Sequence, residues 1–308
     1  MYKTCLLLGG KGFIGSHLVE MLLANNFSVR VFDREGSENL IPSNLLNQIE
    51  MIDGDFSDSN KLATALEGCD ICFHLISTTL PKTSNDTPIY DLQSNVLSTI
   101  NMLDISRKVG LKKIVFLSSG GTVYGIPKYL PIDEAHPTDP LCSYGIGKLA
   151  IEKYLELYRS LYGIDYAVLR VSNPYGERQR LTAAQGAVAV FLGKALHKQK
   201  ITIWGDGSVA RDYIYVGDLI ASLLTVMNYS GKQRIFNIGS GSPTTLNALV
   251  AAIESVINTK VDLEFLPARA FDVPINVLDI ARAKHELGWT PTVNLYDGLL
   301  KMKNWITK

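Results

Sequence analysis

Long apolar runs are missing from this chain, and so is any surplus of charge. No stretch approaches the roughly 20 apolar residues that a membrane helix needs, so no membrane association is expected. Thirty basic residues balance thirty acidic ones in 308 residues. No basic run interleaves with aromatics, which removes support for a nucleic-acid surface and leaves a small molecule as the expected partner. Met1 leads straight into TCLLLGG, too short and too glycine-punctuated for a signal peptide, so a cytoplasmic location is expected.

Cysteine is scarce as well. Four in the whole chain argue against a disulfide scaffold. Cys69 and Cys72 form one CxxC, but no second pair accompanies it as a zinc site needs, and it does not open a helix after a strand as a thioredoxin-type site does. Alternation puts Cys72 inside a strand Ile71–Ile76, where a small thiol packs. Cys5 and Cys142 are expected to be structural, and no metal is expected.

What the chain does have is size, with 46% hydrophobic and 19% charged residues, enough to bury a sizeable core in two lobes. Short apolar runs alternate with helical patterns: TCLLLGG, SHLVEMLLANN, FSVRVFD, KLATALEG, ICFHLIS, NVLSTINMLDISRKVG, KKIVFLSS, SYGIGKLAIEKYLELYRSLYG and DYAVLRVSNPYG. Such alternation predicts an α/β fold, a doubly wound parallel sheet of Rossmann type with helices on both faces. The pattern changes after NPYGERQR, with a helix QGAVAVFLGKALHKQK and a short strand ITIWG. It resumes with RDYIYVGDLIASLLTVMN and ends in a helix PTTLNALVAAIESVIN, a strand VDLEFLP and a helix ARAKHELGW. Residues 1–173 with about 212–240 are therefore expected to form the dinucleotide-binding domain. About 174–211 with 241–308 would form a smaller α/β lobe.

LLLGGKGFIGSHLVE places Gly10, Gly12 and Gly15 in GxGxxG register and Gly9, Gly12 and Gly15 in GxxGxxG register, after a strand and before a helix. That context suits backbone amides and a helix N-terminus holding a pyrophosphate. Asp33 ends the second strand about 20 residues on, where a carboxylate takes ribose hydroxyls and repels a 2′-phosphate, which favours NAD. Arg34 beside it can pair with that phosphate, so NADP stays open. Asp55 and Phe56 either border the adenine or, for Asp55, cap a helix or turn. Asn95 at a helix start carries the same two meanings.

SYGIGKLAIEK sets Tyr144 and Lys148 four apart on one helical face. A phenol titrates near ~10 and is a poor base unless positive charge lies close. Lys148 supplies that charge, so Tyr144 can take a proton from an alcohol as hydride leaves the same carbon.

These motifs, with GDF, FHLIS, SSGGTVYG, LRVSNPYG, GDGSVARDYIYVGD, PARAFD and LGWTP in order, resemble the extended short-chain dehydrogenase/reductase family. Within it the chain is most similar to nucleotide-sugar 4-epimerases of the UDP-glucose/UDP-N-acetylglucosamine type. The resemblance implies bound NAD, a UDP-sugar substrate and a homodimer. Tyr144 would be the acid and base, and Lys148 would hold the nicotinamide ribose. Gly9, Gly12, Phe13, Ile14, Gly15, Leu75, Ile76, Ser77 and Ser118 would join the cofactor site. Asn173, Arg211, Arg269 and Asp272 would contact the diphosphate or sugar, although lone arginines also form surface pairs. Trp204 would border the uracil or pack in the core. Asn276, where family members that exclude an N-acetyl group carry tyrosine, would leave room for one.

Dehydratases in the family carry an acidic pair, and decarboxylases a glutamate, in the turn after the serines. Here Gly121 and Thr122 stand there, so both chemistries fall. A 4-ketosugar reductase with exchangeable NADPH remains the alternative, and a non-catalytic protein that keeps the fold is a third class. The commoner family form SSSATVYG puts Gly120 where a serine usually bonds the sugar oxygen. The branch form STGGAIYG selects Ser119 instead, ahead of Thr122, while strand alternation turns Ser118 away from the sugar.

Overall fold

The computed structural model describes residues 4–182, 186–268 and 273–308. Among the described residues the strands are β1 (Thr4–Leu8), β2 (Ser28–Asp33), β3 (Ile49–Asp53), β4 (Ile71–His74), β5 (Lys113–Ser119), β6 (Asp165–Val171), β7 (Asn173–Tyr175), β8 (Ile201–Trp204), β9 (Ala210–Tyr215), β10 (Ile235–Ile238), β11 (Pro243–Thr245), β12 (Leu263–Leu266) and β13 (Ile275–Asn276). The α-helices are α1 (Phe13–Ala24), α2 (Ser59–Leu66), α3 (Pro88–Asp91), α4 (Ser98–Val109), α5 (Ser143–Tyr162), α6 (Ala187–Leu196), α7 (Val216–Met227), α8 (Leu246–Ile257), α9 (Ala281–Leu287) and α10 (Leu295–Ile306). No helix among the described residues is long and apolar enough to cross a membrane.

The chain divides into two compact units. One comprises Met1–Gly125, Pro137–Arg170 and Leu223–Phe236; the other comprises Ile126–His136, Val171–Ser222 and Asn237–Lys308. A seven-stranded parallel sheet runs in the order β10-β6-β5-β4-β1-β2-β3, the doubly wound arrangement expected. Cys5, Leu6, Leu7 and Leu8 of β1 are wholly buried, whichever face they occupy. That is why this strand is a continuous apolar run rather than an alternating one. The chain passes from β1 to β2 on one side and returns to β4 on the other. The carboxyl ends of β1 and β4 therefore frame the switch point where such sheets take ligands. Cys5, Cys69 and Cys72 are free and buried, and burial pushes the Cys5 thiol up to about 12.

In the second unit, Phe191 and Leu192 of α6, Ile201 and Ile203 of β8, Leu249 and Ile253 of α8 and Leu299 and Met302 of α10 pack into one apolar cluster. There β9 is central, paired with β7, β11 and β13.

Several boundaries differ from the sequence expectation. The run DYAVLRVSNPYG breaks at Ser172: β6 stays in the large sheet, while β7 pairs with β9. Pro174 has no N–H to give an interior strand of the large sheet. PTT is a strand, and its helix starts only at Leu246, where the Thr245 hydroxyl caps the Ala248 amide at 3.0 Å. β4 ends at His74 rather than Ile76. Leu92–Leu97 is a wider π-type turn leading into α4, and it takes in Asn95–Leu97, expected as the start of an ordinary helix. β10 and α10 were not anticipated.

Gly15 shows how closely this framework is built. A Cβ there would overlap the Gly9 carbonyl oxygen and lie 2.6 Å from Gly10 Cα, all of it backbone that cannot give way. Gly15→Ala is expected to lower unfolding free energy by about 1–3 kcal/mol and to lose bound dinucleotide. Urea denaturation and nucleotide release on perchloric-acid treatment check both.

Candidate active site

The glycine turn joins β1 to α1. Gly9 takes φ +86°, and a Cβ on it would press on the backbone of Leu75 and Ile76 at 3.3 and 3.2 Å. The turn therefore lies directly on the segment that follows β4. Above Gly12 the space is open, since a Cβ there would meet only the Gly9 carbonyl at 3.5 Å. No side chain caps the first turn of α1, which opens with Phe13 and Ile14. Amides at a helix N-terminus under an open glycine are the setting a pyrophosphate requires, so these residues fit NAD.

At the end of β2 the Asp33 carboxylate is oriented by two backbone amides, Lys11 N at 2.9 Å and Arg34 N at 2.8 Å. Lys11, unnoticed in the sequence, is 7% exposed and turns its ammonium to Asp53 and to the Arg34 carbonyl. The Arg34 side chain is exposed. Asp55 makes a local turn, accepting from Ser57 N at 2.9 Å and from the Ser57 hydroxyl; that hydroxyl above all holds its carboxyl below the usual range. The cap of α2 is Asp58. Phe56 is buried against the His74 ring, 5.1 Å between centroids. Asn95 lies in the π-type turn, accepting from Thr78 N and donating to Thr78 Oγ1 and Asp91.

Lys148 lies on α5, 7% exposed. Its ammonium donates to the Leu117 carbonyl at 2.9 Å, sits 4.7 Å over the Phe116 ring and lies 5.6 Å from the centre of the Tyr144 ring. Burial brings it down to about 8, against the upward pull of Glu152 and Asp91. The Tyr144 phenol is pushed up to about 12, mainly by burial and next by Cys142 and Asp91. Hydrogen bonds with Ser77 and Ser119 oppose that rise. The phenol is thus a proton donor until positive charge is added beside it. His74 is buried and brought down to about 3 by burial and by Lys148, so it stays neutral.

The two serines of β5 point to opposite sides. Ser118 donates to Glu152 at 2.6 Å, whereas Ser119 reaches the Tyr144 phenol. The Thr122 hydroxyl is buried with no hydrogen-bond partner among the described residues. A Cβ on Gly121 would meet only the Ser119 hydroxyl, at 3.9 Å, so the turn leaves the space over that hydroxyl clear. Behind Lys148, Glu152 and Arg170 form a buried pair at 2.6 Å, and Arg170 lies 4.8 Å over the Tyr124 ring. Spacing alone would have flagged Glu152, one turn beyond Lys148.

In the second unit, register brings Asn173 opposite Tyr213 and Asn276 opposite Arg211. In-register partners and alternate residues share a face, so all four belong to one side of the β7–β9–β13 sheet. Asn173 donates to the Asp212 carbonyl at 2.9 Å, and Arg211 to Ala210 O and Val273 O at 2.9 and 2.7 Å. Tyr213, missed in the sequence, has a buried hydroxyl with no hydrogen-bond partner among the described residues. Trp204 is 40% exposed, which removes core packing as its role. Asn276 is buried. Arg269 and Asp272 lie outside the described residues.

A doubly wound parallel sheet, a glycine turn under a helix N-terminus and a Tyr/Lys pair on one helix face define a dinucleotide-dependent enzyme of the short-chain dehydrogenase/reductase class. Residues 5–239 match the family model described as the NAD dependent epimerase/dehydratase family, and the chain belongs to that family. A putative UDP-glucose 4-epimerase of Methanocaldococcus jannaschii is 39% identical, over 98% of this chain and 97% of its own. A dTDP-4-dehydro-6-deoxyglucose reductase of Escherichia coli is 34% identical, over 96% and 95%. The crystal structure of the UDP-glucose 4-epimerase of Thermotoga maritima with UDP-glucose superposes with a TM-score of 0.93 at 34% identity, covering 99% of this chain and 98% of that one.

The Lys148 shift has a sign that can be measured. Its folded value, about 8, lies below its ordinary 10.5. Between the two, the unfolded chain holds a proton that the folded one has released, so stability rises with pH across that window. Lys148→Met is expected to gain about 1–3 kcal/mol of unfolding free energy near neutral pH, and to lose that advantage progressively as pH climbs past the folded value. Urea unfolding curves of both proteins at stepped pH values check this.

Proposed function

We propose that the protein interconverts the C4 epimers of a UDP-hexose or UDP-N-acetylhexosamine through a transient 4-keto sugar. One observation carries this: the Tyr144 phenol is joined to Ser119, with the Lys148 ammonium beside it, and the turn Gly120–Gly121–Thr122 offers no second acid. Bound NAD supplies a hydride acceptor that returns the same hydride. Tyr144 takes the proton from the C4 hydroxyl and later gives it back, while Lys148 keeps positive charge near the phenol. Ser119 donates to the sugar oxygen as it becomes a carbonyl and then a hydroxyl again. Protons and electrons both cancel over the cycle, so one acid–base group suffices.

The unit that carries the seven-stranded sheet forms the cofactor half in this reading. Asn173, Arg211 and Tyr213 offer the diphosphate and sugar one amide, one guanidinium and one phenol from a single sheet face, joined by Arg269 and Asp272. Exposed Trp204 stacks on the base. Asn276 leaves volume for an N-acetyl group. The reductase alternative draws support from the Escherichia coli relative; against it, Asp33 is held by two amides where ribose hydroxyls would bind and a 2′-phosphate would be repelled.

Purified protein is expected to carry NAD and to interconvert gluco and galacto epimers with no added cofactor, followed by NMR of the anomeric protons across UDP-, dTDP- and GDP-sugars. Consumption of a 4-keto sugar with NADPH, with C4 never inverted in any sugar, would favour the reductase. Tyr144→Phe should cut kcat by at least about 10³-fold and leave nucleotide bound.

The same assay separates the two hydroxyls. Ser119→Ala is expected to lower kcat about 10–100-fold and Thr122→Ala less than threefold. A larger loss for Thr122→Ala would reverse the assignment.

A further inference from the structure

α5 begins without a cap of its own. Its N-cap residue is Cys142, whose side chain makes no capping bond, although the first amides of any helix need acceptors. The acceptors come from a separate part of the chain, the stretch between β4 and the end of α3. Asn85 Oδ1 accepts from Ser143 N at 2.9 Å, and Ser84 Oγ accepts from Tyr144 N at 3.1 Å. Asp91 Oδ2 accepts from the Ser143 hydroxyl at 2.6 Å. At the other end of the stretch, Ser77 bonds the Tyr144 phenol. Tyr144 is thus held at its backbone and at its reacting atom by one segment.

That segment is itself braced. Ser84 is fully buried and donates to the Pro81 carbonyl at 3.2 Å. Asp91, 2% exposed, accepts from Thr79 and Asn95 with its other oxygen, and Asn95 accepts from Thr78 N. The segment also starts from Leu75 and Ile76, against which the glycine turn packs. A chain of contacts therefore runs from the glycine turn, through residues 75–91, to the amide of Tyr144.

We propose that Ser84 and Asn85 are positioning residues, a cap supplied from outside the helix that fixes Tyr144 where the proton is exchanged. The proposal rests on Tyr144 being the acid and base. Both caps are neutral, as the site requires. A carboxylate is the stronger cap at a helix N-terminus, but here it would add negative charge near a phenol that already faces Asp91 and Cys142 as well as Lys148.

The test compares loss of these caps with loss of a cap elsewhere. Ser84→Ala and Asn85→Ala, singly and together, are expected to lower kcat about 10–100-fold with KM within about threefold, because position matters most where the proton moves. Thr245→Ala removes the cap of α8 and is expected to lower Tm comparably while keeping wild-type kcat. If the Ser84 and Asn85 variants lose only Tm, or raise KM with kcat intact, the proposal is overturned. Asn85 is exposed, so its single variant folds even if the pair does not.

A second readout needs no substrate. The tyrosinate absorbance of NAD-loaded protein, minus that of Tyr144→Phe, gives the titration of Tyr144. In Ser84→Ala its midpoint should rise, as the phenol withdraws from the Ser77 and Ser119 hydroxyls that hold it down. Should the wild type turn over no nucleotide sugar, the function proposed above fails, and this titration alone judges the cap. An unmoved midpoint overturns it.

Discussion

A buried ammonium beside a phenol is the constraint around which one unit of this protein is arranged. Lys148 has little solvent to hydrate it, and an unpaired buried cation costs several kcal/mol. The chain surrounds it with the Leu117 carbonyl, the face of Phe116 and, farther off, the carboxylates of Glu152 and Asp91. Glu152 in turn cannot stand alone in the core, so it is bound by Arg170 and Ser118. These partners are spread over β5, α5, β6 and α3, so the charge that serves the phenol also ties these elements together.

The nucleotide end obeys a different constraint, close approach of backbone. Gly9, Gly12 and Gly15 act by what they lack: two let chain segments touch where a Cβ would not fit, and the third leaves open space. The acidic side chains here are likewise held by backbone. Asp33 is aimed by the amides of Lys11 and Arg34, which explains how one carboxylate can be rigid at the end of a strand.

What was legible in the sequence was whatever depends on local period and spacing. The β1 run, the glycine register and the four-residue step from Tyr144 to Lys148 all carry their geometry in the chain itself. What stayed hidden depends on partners far away. Ser84 and Asn85 look like ordinary loop residues until they are seen under α5, and the spacing that sets Glu152 one turn beyond Lys148 gives no hint that Arg170 binds it. Tyr213 was passed over because a tyrosine in an apolar strand reads as core, and only its unpartnered hydroxyl marks it out. Thr122 has the residue type the chemistry wants, and its hydroxyl is likewise buried without a hydrogen-bond partner among the described residues. β10 went unseen because its four residues acquire meaning only beside β6.

The turn after β5 joins the two constraints. A serine on the phenol needs room for a sugar oxygen above it, and a side chain at 121 would begin to fill that room, since its Cβ would lie 3.9 Å from the Ser119 hydroxyl. An acid in this turn would close the space and add negative charge near Tyr144, raising a phenol that must ionise to act. Two glycines do neither. The same choice fits the reaction proposed above, which needs no proton-transfer group in the turn beyond the phenol. A site with one phenol, one ammonium and one hydroxyl suits the reaction proposed above, which takes hydride from a carbon and a proton from the hydroxyl it bears, and puts both back.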